Sequence, residues 1–119
     1  MEGKTIFVGV DFSNIDLIET EKEFEEALLQ AEMIKKEKDR EKRICLISKS
    51  LLNSGRFGWS VEAAMKMKDS YMKALLLAEI AKKTENFKYL ELSVIEVEKL
   101  KRPGLRRYAL KVIVDYINS

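Results

Sequence analysis

Hydrophobic positions recur with the period of an α-helix along most of the chain, from about residue 21 to residue 118. The pattern is clearest after Pro103, where it predicts the last helix. The apolar positions of that helix are Leu105, Tyr108, Ala109, Val112, Ile113, Tyr116 and Ile117. A second apolar stripe on the same helix, Leu110 and Val114, indicates extra coverage or an interface. The pattern therefore predicts a mostly α-helical fold.

The same period predicts four or five further helices, the first of them from about Glu21 to Lys36. Thr20 and Glu23 have the spacing of a capping box at its start. The others are predicted after the capping residues Asp39, Ser60 and Asp69, and from Phe87 to about Lys101, with Gly55 ending the second. Val61 to Lys83 is the most apolar stretch, so we expect its second half to lie at the centre of the domain, buried on more than one side.

One segment near the start has the period of a β-strand instead of a helix. Its alternating apolar residues are Ile6, Val8, Val10 and Phe12. A lone strand needs a partner for its backbone N–H and C=O groups, so we expect an N-terminal strand or extended arm over residues 1–18 that pairs between two subunits. Residues 19–119 would then form the helical-hairpin domain, and the protein would be a dimer.

The predicted helices also show an internal correspondence of about 30 to 34 residues. The segments that begin at Asp39, Asp69 and Pro103 each have a helix-starting residue, a basic residue four places later and then an apolar stretch. This pattern resembles the degenerate α-hairpin repeats of the tetratricopeptide and HEAT-like superfamilies. The resemblance implies a scaffold that binds partner proteins or peptides without chemistry of its own. An ordinary antiparallel helix bundle is the alternative.

Charge is distributed unevenly although the net charge is only +2. Residues 1–33 sum to −7 and residues 34–119 to +9. Such opposed parts pair within one molecule, pair between subunits, or leave the basic part free for an acidic partner. Lys, Glu and Arg dominate the charged residues, a bias found in proteins that work at high temperature.

Two groups of residues are candidates for binding a partner. Arg56, Phe57 and Trp59 combine a guanidinium group with aromatic rings in a glycine-containing loop, as binding hot spots often do, although Trp59 also suits a core position. The densest basic cluster is Lys99, Lys101, Arg102, Arg106 and Arg107. It makes nucleic-acid binding the alternative function, although the neighbouring Glu96 and Glu98 dilute its charge.

Residue types that carry catalysis are scarce. The chain has no histidine and a single cysteine, Cys45, whose apolar neighbours predict a buried, inert thiol. We therefore expect no metal, no cofactor and no catalytic residues. The weakest alternative is a metal-dependent enzyme centred on Asp11, which follows the predicted strand. With no apolar run long enough to span a membrane, the sequence predicts a cytoplasmic, non-catalytic scaffold that self-associates.

Overall fold

The computed structural model describes residues 18–119, and within that range the chain forms six α-helices and no strand. The helices are α1 (Glu21–Glu32), α2 (Glu37–Asn53), α3 (Phe57–Ala64), α4 (Ser70–Thr84), α5 (Phe87–Glu98) and α6 (Pro103–Ile117). The prediction of a mostly helical fold is confirmed. The predicted strand residues Ile6, Val8, Val10 and Phe12, together with Asp11, lie outside the described residues.

Local sequence signals place several helix ends correctly. At the start of α1, Thr20 Oγ1 accepts the Glu23 N–H and the Glu23 carboxylate accepts the Thr20 N–H, both at 3.1 Å, which is the predicted capping box. Asp69 accepts the Met72 N–H at 3.0 Å at the start of α4. Gly55 follows α2 with φ of +86°, a conformation that glycine adopts at little cost.

Two predicted capping residues are wrong. Helix α2 begins at Glu37 after Lys36, so Asp39 lies inside its first turn. Helix α3 begins at Phe57, so Ser60 lies within the helix and is fully buried. The physical reason is that the Ser60 hydroxyl is used between helices, where packing outweighs the local preference of serine for a helix end.

The helices form two layers, with α2, α4 and α6 side by side in one of them. Helix α4 is the middle helix of this row, because it packs against both α2 and α6. In the other layer, α3 packs against α2 and α4, and α5 packs against α4 and α6. Helix α1 packs on α2, and the ring of its Phe24 stacks on Trp59 of α3 with centroids 5.4 Å apart.

The three helices of the row begin at a constant spacing. Their N-terminal capping residues are Lys36, Asp69 and Arg102, which are 33 residues apart. The aligned segments predicted from sequence, at Asp39, Asp69 and Pro103, are unevenly spaced by comparison. The same offset relates the basic residues Arg40, Lys73 and Arg106, and the buried residues Ala31, Ala64 and Val97 of the other layer.

Helix α4 contributes to two hydrophobic clusters, as predicted for the centre of the fold. Leu76, Leu77 and Ile80 belong to the larger cluster, which also contains residues of α1, α2 and α3. Ala74 and Ala78 belong to a second cluster with residues of α5 and α6, namely Val97, Ala109 and Ile113. Because one helix serves both clusters, α4 is buried on more than one side.

Small residues bring neighbouring helices close together. Ser93 Oγ of α5 donates to the carbonyl oxygen of Ala74 in α4 at 2.7 Å. Ser60 Oγ of α3 donates to the carbonyl oxygen of Ser48 in α2, also at 2.7 Å. Ser60 and Ser93 are themselves 33 residues apart, so a serine at the same position of α3 and α5 donates to the preceding helix at both junctions. The two acceptors, Ser48 and Ala74, are 26 residues apart, so they lie seven residues, or about two helical turns, from equivalent positions.

Candidate functional site

A groove of about 300 Å³ crosses the row of α2, α4 and α6, and we call it the inner groove. Its floor contains the buried Ala78 and Ile113, and its apolar sides are Leu75, Val112 and Tyr116. Lys49 and Glu79 form its polar edge. Each helix of the row contributes, so the groove depends on the packing of all three helices.

The polar edge of the inner groove is electrically paired. Lys49 Nζ lies 3.5 Å from Glu79 Oε1, and both side chains are partly exposed, so this ion pair adds little stability. Partial burial, followed by the negative charge of Glu79, raises the pKa of Tyr116. The Tyr116 hydroxyl therefore stays protonated near neutral pH and can both donate and accept a hydrogen bond.

Lys82 holds Tyr116 from the other side. Its ammonium lies 4.7 Å from the centre of the Tyr116 ring, within the range of a cation–π interaction. The same ammonium donates to the carbonyl oxygen of Tyr116 at 2.8 Å and to the carbonyl oxygen of Ser119 at 3.1 Å. The positive charge of Lys82 also interacts favourably with the negative end of the α6 helix dipole. Lys82 therefore fixes the end of α6 that lines the groove.

The candidate residues Arg56, Phe57 and Trp59 lie at the start of α3, where the structure separates their roles. Trp59 is half-buried and stacks on the buried Phe24, which is the core position considered as its alternative. Phe57 is exposed, while Arg56 and Trp59 line a shallow depression of about 240 Å³. The three residues are therefore neighbours, but Trp59 presents only part of its ring to a ligand.

The five candidate basic residues lie around the turn from α5 to α6, and two of them are already engaged. Lys99 Nζ lies 2.8 Å from the Glu96 carboxylate, and an Arg106 Nη1 hydrogen donates to the carbonyl oxygen of Leu100. The three remaining side chains, Lys101, Arg102 and Arg107, are exposed. The cluster therefore presents less free positive charge than the sequence indicates.

A buried group of charged residues surrounds the start of α4. Glu96 lies near Lys73 Nζ at 3.4 Å as well as Lys99, and it accepts a hydrogen bond from the Ser70 hydroxyl at 3.3 Å. Burial of Glu96 raises its pKa, but the hydrogen bond from Lys99 and the charge of Lys73 together outweigh that effect, so the pKa lies below its ordinary value. Glu96 therefore remains ionised near neutral pH and joins α5 to α4.

Glu41 of α2 reaches the same helix start from the opposite side. Its Oε1 accepts the backbone N–H groups of Lys68 and Asp69, both at 2.8 Å. Its Oε2 is buried without a hydrogen-bond partner, 3.9 Å from Arg40 Nε. These contacts make Glu41 a capping group supplied by a neighbouring helix, and they account for a buried carboxylate without invoking chemistry.

Reactive and metal-binding groups offer no second site in the described part of the chain. Burial raises the pKa of the half-buried Cys45 thiol, which makes it a poor nucleophile at neutral pH. Among residues 18–119, no three His, Cys, Asp or Glu side chains are grouped so that they could hold a metal ion.

Not one of the helices in residues 18–119 has both the length and the apolarity that crossing a membrane requires.

Sequence reasoning did not find the inner groove. Lys49, Leu75 and Tyr116 are far apart along the chain and have nothing in common as a motif. Val112 and Tyr116 were predicted as core positions of the last helix, because helical periodicity marks an apolar side chain without saying which neighbour covers it. The constant offset between helix starts would have indicated that α2, α4 and α6 lie in one row.

Comparison with protein-family models, with curated proteins and with solved structures found no match to this chain.

Proposed function

We propose that this protein is a non-catalytic helical scaffold that binds a partner protein through the inner groove and that also associates with itself. The observation that carries the proposal is the groove itself. It is apolar on its sides, has one phenol and one ion pair at its edge, and is built from three helices that begin 33 residues apart along the chain. A shallow apolar channel with a few polar groups suits an extended or helical segment of another protein.

The regular spacing supports counting the helices as three hairpin units, α1–α2, α3–α4 and α5–α6. The second helices of successive units begin 33 residues apart, within the range of helical-hairpin repeats. In such arrays each unit contacts its neighbours, and the row of equivalent helices forms an extended binding surface. The groove lies on the equivalent helices α2, α4 and α6, which favours a repeat scaffold over an ordinary bundle.

Peptide selection tests the binding proposal. A peptide displayed on phage and selected on the immobilised full chain would be measured by calorimetry against the wild type and Tyr116→Ala. We expect the substitution to weaken binding by about tenfold or more, because Tyr116 contributes a groove side. The matched control is Tyr108→Ala, an exposed tyrosine of α6 that does not line the groove. Equal affinity for Tyr116→Ala and wild type would contradict the proposal.

The alternative function, nucleic-acid binding, rests on the exposed Lys101, Arg102 and Arg107 near the positive end of α6. A gel shift with short single- and double-stranded oligonucleotides at low salt separates the two functions. Binding that falls steeply with salt and is lost in Lys101→Gln/Arg102→Gln would favour the alternative. We expect no specific shift, since Lys99 and Arg106 are engaged within the protein.

A further inference from the structure

The junctions inside the fold show how one helical unit packs on the next. At the junction of α4 and α5, the Ala74 carbonyl accepts the Ser93 hydroxyl, and Ala74, Ala78 and Val97 share one cluster. At the junction of α2 and α3, Ser48 and Ser60 are in contact. In the first two units, the second helix thus presents one face to the first helix of the following unit, with the contacts at Ser48 and Ala74 about two helical turns apart on that face.

The 33-residue offset identifies the corresponding face of α6. In α6, Arg107 is the counterpart of Ala74 and Lys111 is the counterpart of Ala78. Val114 is the counterpart of Ser48, which lies two units earlier. Unlike their counterparts, all three of these α6 residues are exposed, Val114 by 53%. Leu110, in the same stripe, is 39% exposed. Lys111 Nζ lies 3.2 Å from the carboxylate of Asp115 on the same helix, so Arg107 supplies the positive charge of this face. The outer face of α6 is therefore apolar with one positive charge on it, and no helix of residues 18–119 covers it.

The same offset identifies the complementary face of α1. Ala27 is the counterpart of Ser60 and Ser93. Glu26 is the counterpart of Trp59 and Leu92, and Gln30 is the counterpart of Glu96. Glu26 and Gln30 are exposed, and Ala27 is half-buried. The outer face of α1 thus has a small residue, Ala27, where the internal junctions place a serine, and one negative charge beside it, Glu26.

We propose that copies of this chain stack end to end, with the outer face of α6 in one copy packed on the outer face of α1 in the next. The two faces are the counterparts of surfaces that pack together at each internal junction, and their charges are opposite. Arg107 of one copy would face Glu26 of the other. The uneven charge of the sequence agrees with this pairing, because residues 1–33, which include α1, sum to −7 and residues 34–119, which include α6, sum to +9.

Stacking of this kind is heterologous, because each copy uses two different faces. A dimer formed in this way leaves one α6 face and one α1 face free, so association continues to longer assemblies unless a ring closes. The inference deepens the self-association in the proposed function and rests on it. It does not involve the inner groove, whose peptide binding is measured separately with Tyr116→Ala.

Sedimentation velocity of the full chain tests the stacking. At about 20 mM salt the weight-average mass should rise with concentration beyond twice the 13.8 kDa of one chain. At about 500 mM salt it should fall toward one chain, since screening weakens the pairing of opposite charges. A mass of one chain at every concentration and salt would overturn the inference. A mass that stops at two chains, with no ring seen by electron microscopy, would also overturn it.

Charge reversal identifies the two faces. Glu26→Lys and Arg107→Glu should each weaken association by about tenfold or more, because each places like charges together. An equimolar mixture of the two variants should regain association, since every junction between unlike variants then pairs opposite charges. Glu91→Lys, an exposed reversal on α5, is the control and should associate as the wild type does. Failure of the mixture to associate, with both variants folded by circular dichroism, would overturn the pairing of α6 with α1.

Discussion

Ser48 and Ser60 exchange hydrogen bonds between two helices. Each Oγ donates to the backbone carbonyl oxygen of the other residue at 2.7 Å, and the two oxygens Oγ lie 3.0 Å apart. Both residues are fully buried, so α2 and α3 approach more closely than larger side chains would permit. The contact satisfies both hydroxyl groups without water and fixes the position of the short helix α3.

Replacing Ser60 separates the role of its hydrogen bond from the role of its size. Ser60→Ala removes one donor and leaves the Ser48 bond intact, so we expect a loss of about 1 kcal/mol in the free energy of unfolding. Ser60→Val adds volume at a close helix contact and should cost about 2 kcal/mol or more. Urea denaturation measures both. The control is Ser54→Ala, which removes a hydrogen bond to the Leu51 carbonyl oxygen within α2 and no contact between helices. An equal loss for Ser60→Val and Ser60→Ala would show that the contact is loose.

Truncation of α4 tests whether this helix is the centre of the fold. Leu76 and Ile80 are 2% and 0% exposed, and Leu76→Ala or Ile80→Ala should each lower the free energy of unfolding by about 2 to 5 kcal/mol. The comparison is Ile95→Ala on α5, where the side chain is 48% exposed and the expected loss is under about 1 kcal/mol. Losses under 1 kcal/mol at both α4 positions would place the centre elsewhere.

Local signals explain which parts of the fold the sequence could predict. The capping box of Thr20 and Glu23, the Asp69 cap and the Gly55 turn were predicted correctly because each acts within a few residues of itself. Ser60 was assigned wrongly, since the partner that satisfies its hydroxyl lies on another helix. The 33-residue spacing of α2, α4 and α6 is hard to recognise in the sequence, because the residues that precede these helices, Lys36, Asp69 and Arg102, differ in chemical type.

The candidate site was harder to predict than the fold for a related reason. The inner groove joins Lys49, Leu75 and Tyr116 from three helices, and periodicity along one helix carries no information about neighbours. The basic cluster was predicted from composition alone, and Lys99 and Arg106 turn out to be engaged with Glu96 and Leu100. Sequence therefore predicted which residues are charged, and packing decided which of those charges remain free.

Glu41 provides a test of capping between helices. It is only 2% exposed, and its Oε1 accepts two backbone N–H groups at the start of α4. Glu41→Ala leaves those groups without an acceptor and should cost about 3 kcal/mol in the free energy of unfolding. Glu41→Gln keeps an acceptor oxygen for these two N–H groups and gives up only the ion pair of Oε2 with Arg40 at 3.9 Å, so its cost should be smaller, about 1 kcal/mol. Equal losses for the two variants would contradict this role.

The ion pairs of Glu96 predict a pH dependence of stability. Its pKa in the folded protein lies below the ordinary value of 4.5, so the unfolded chain binds the proton more readily. Glu96 therefore stabilises the fold above about pH 5, and this contribution is lost as the pH falls through the lower, folded-state pKa. The stability difference between wild type and Glu96→Gln should be constant from about pH 6 to 7 and shrink below about pH 4.

The control for that measurement is Glu91→Gln, which removes an exposed carboxylate from the same helix. Urea denaturation across the pH series gives the free energy of unfolding for each protein. Lys73→Met, made alone and in the Glu96→Gln background, completes a double-mutant cycle for the contact at 3.4 Å. A difference between wild type and Glu96→Gln that does not change with pH would show that the carboxylate is not stabilised by its neighbours.

The contacts of Lys82 should protect the backbone amides at the end of α6 from hydrogen exchange. Its ammonium donates to the carbonyl oxygens of Tyr116 and Ser119 and lies over the Tyr116 ring. Lys82→Met keeps most of the aliphatic side chain and removes the charge, so we expect faster amide hydrogen exchange in the last turn of α6 and a global loss of only about 0.5 to 1 kcal/mol. The neighbouring Lys83, which is exposed, gives the matched control Lys83→Met. Because Tyr116 also forms one side of the inner groove, Lys82→Met should weaken binding of a selected peptide as well. Unchanged exchange in α6 would contradict the inference that Lys82 fixes the end of this helix.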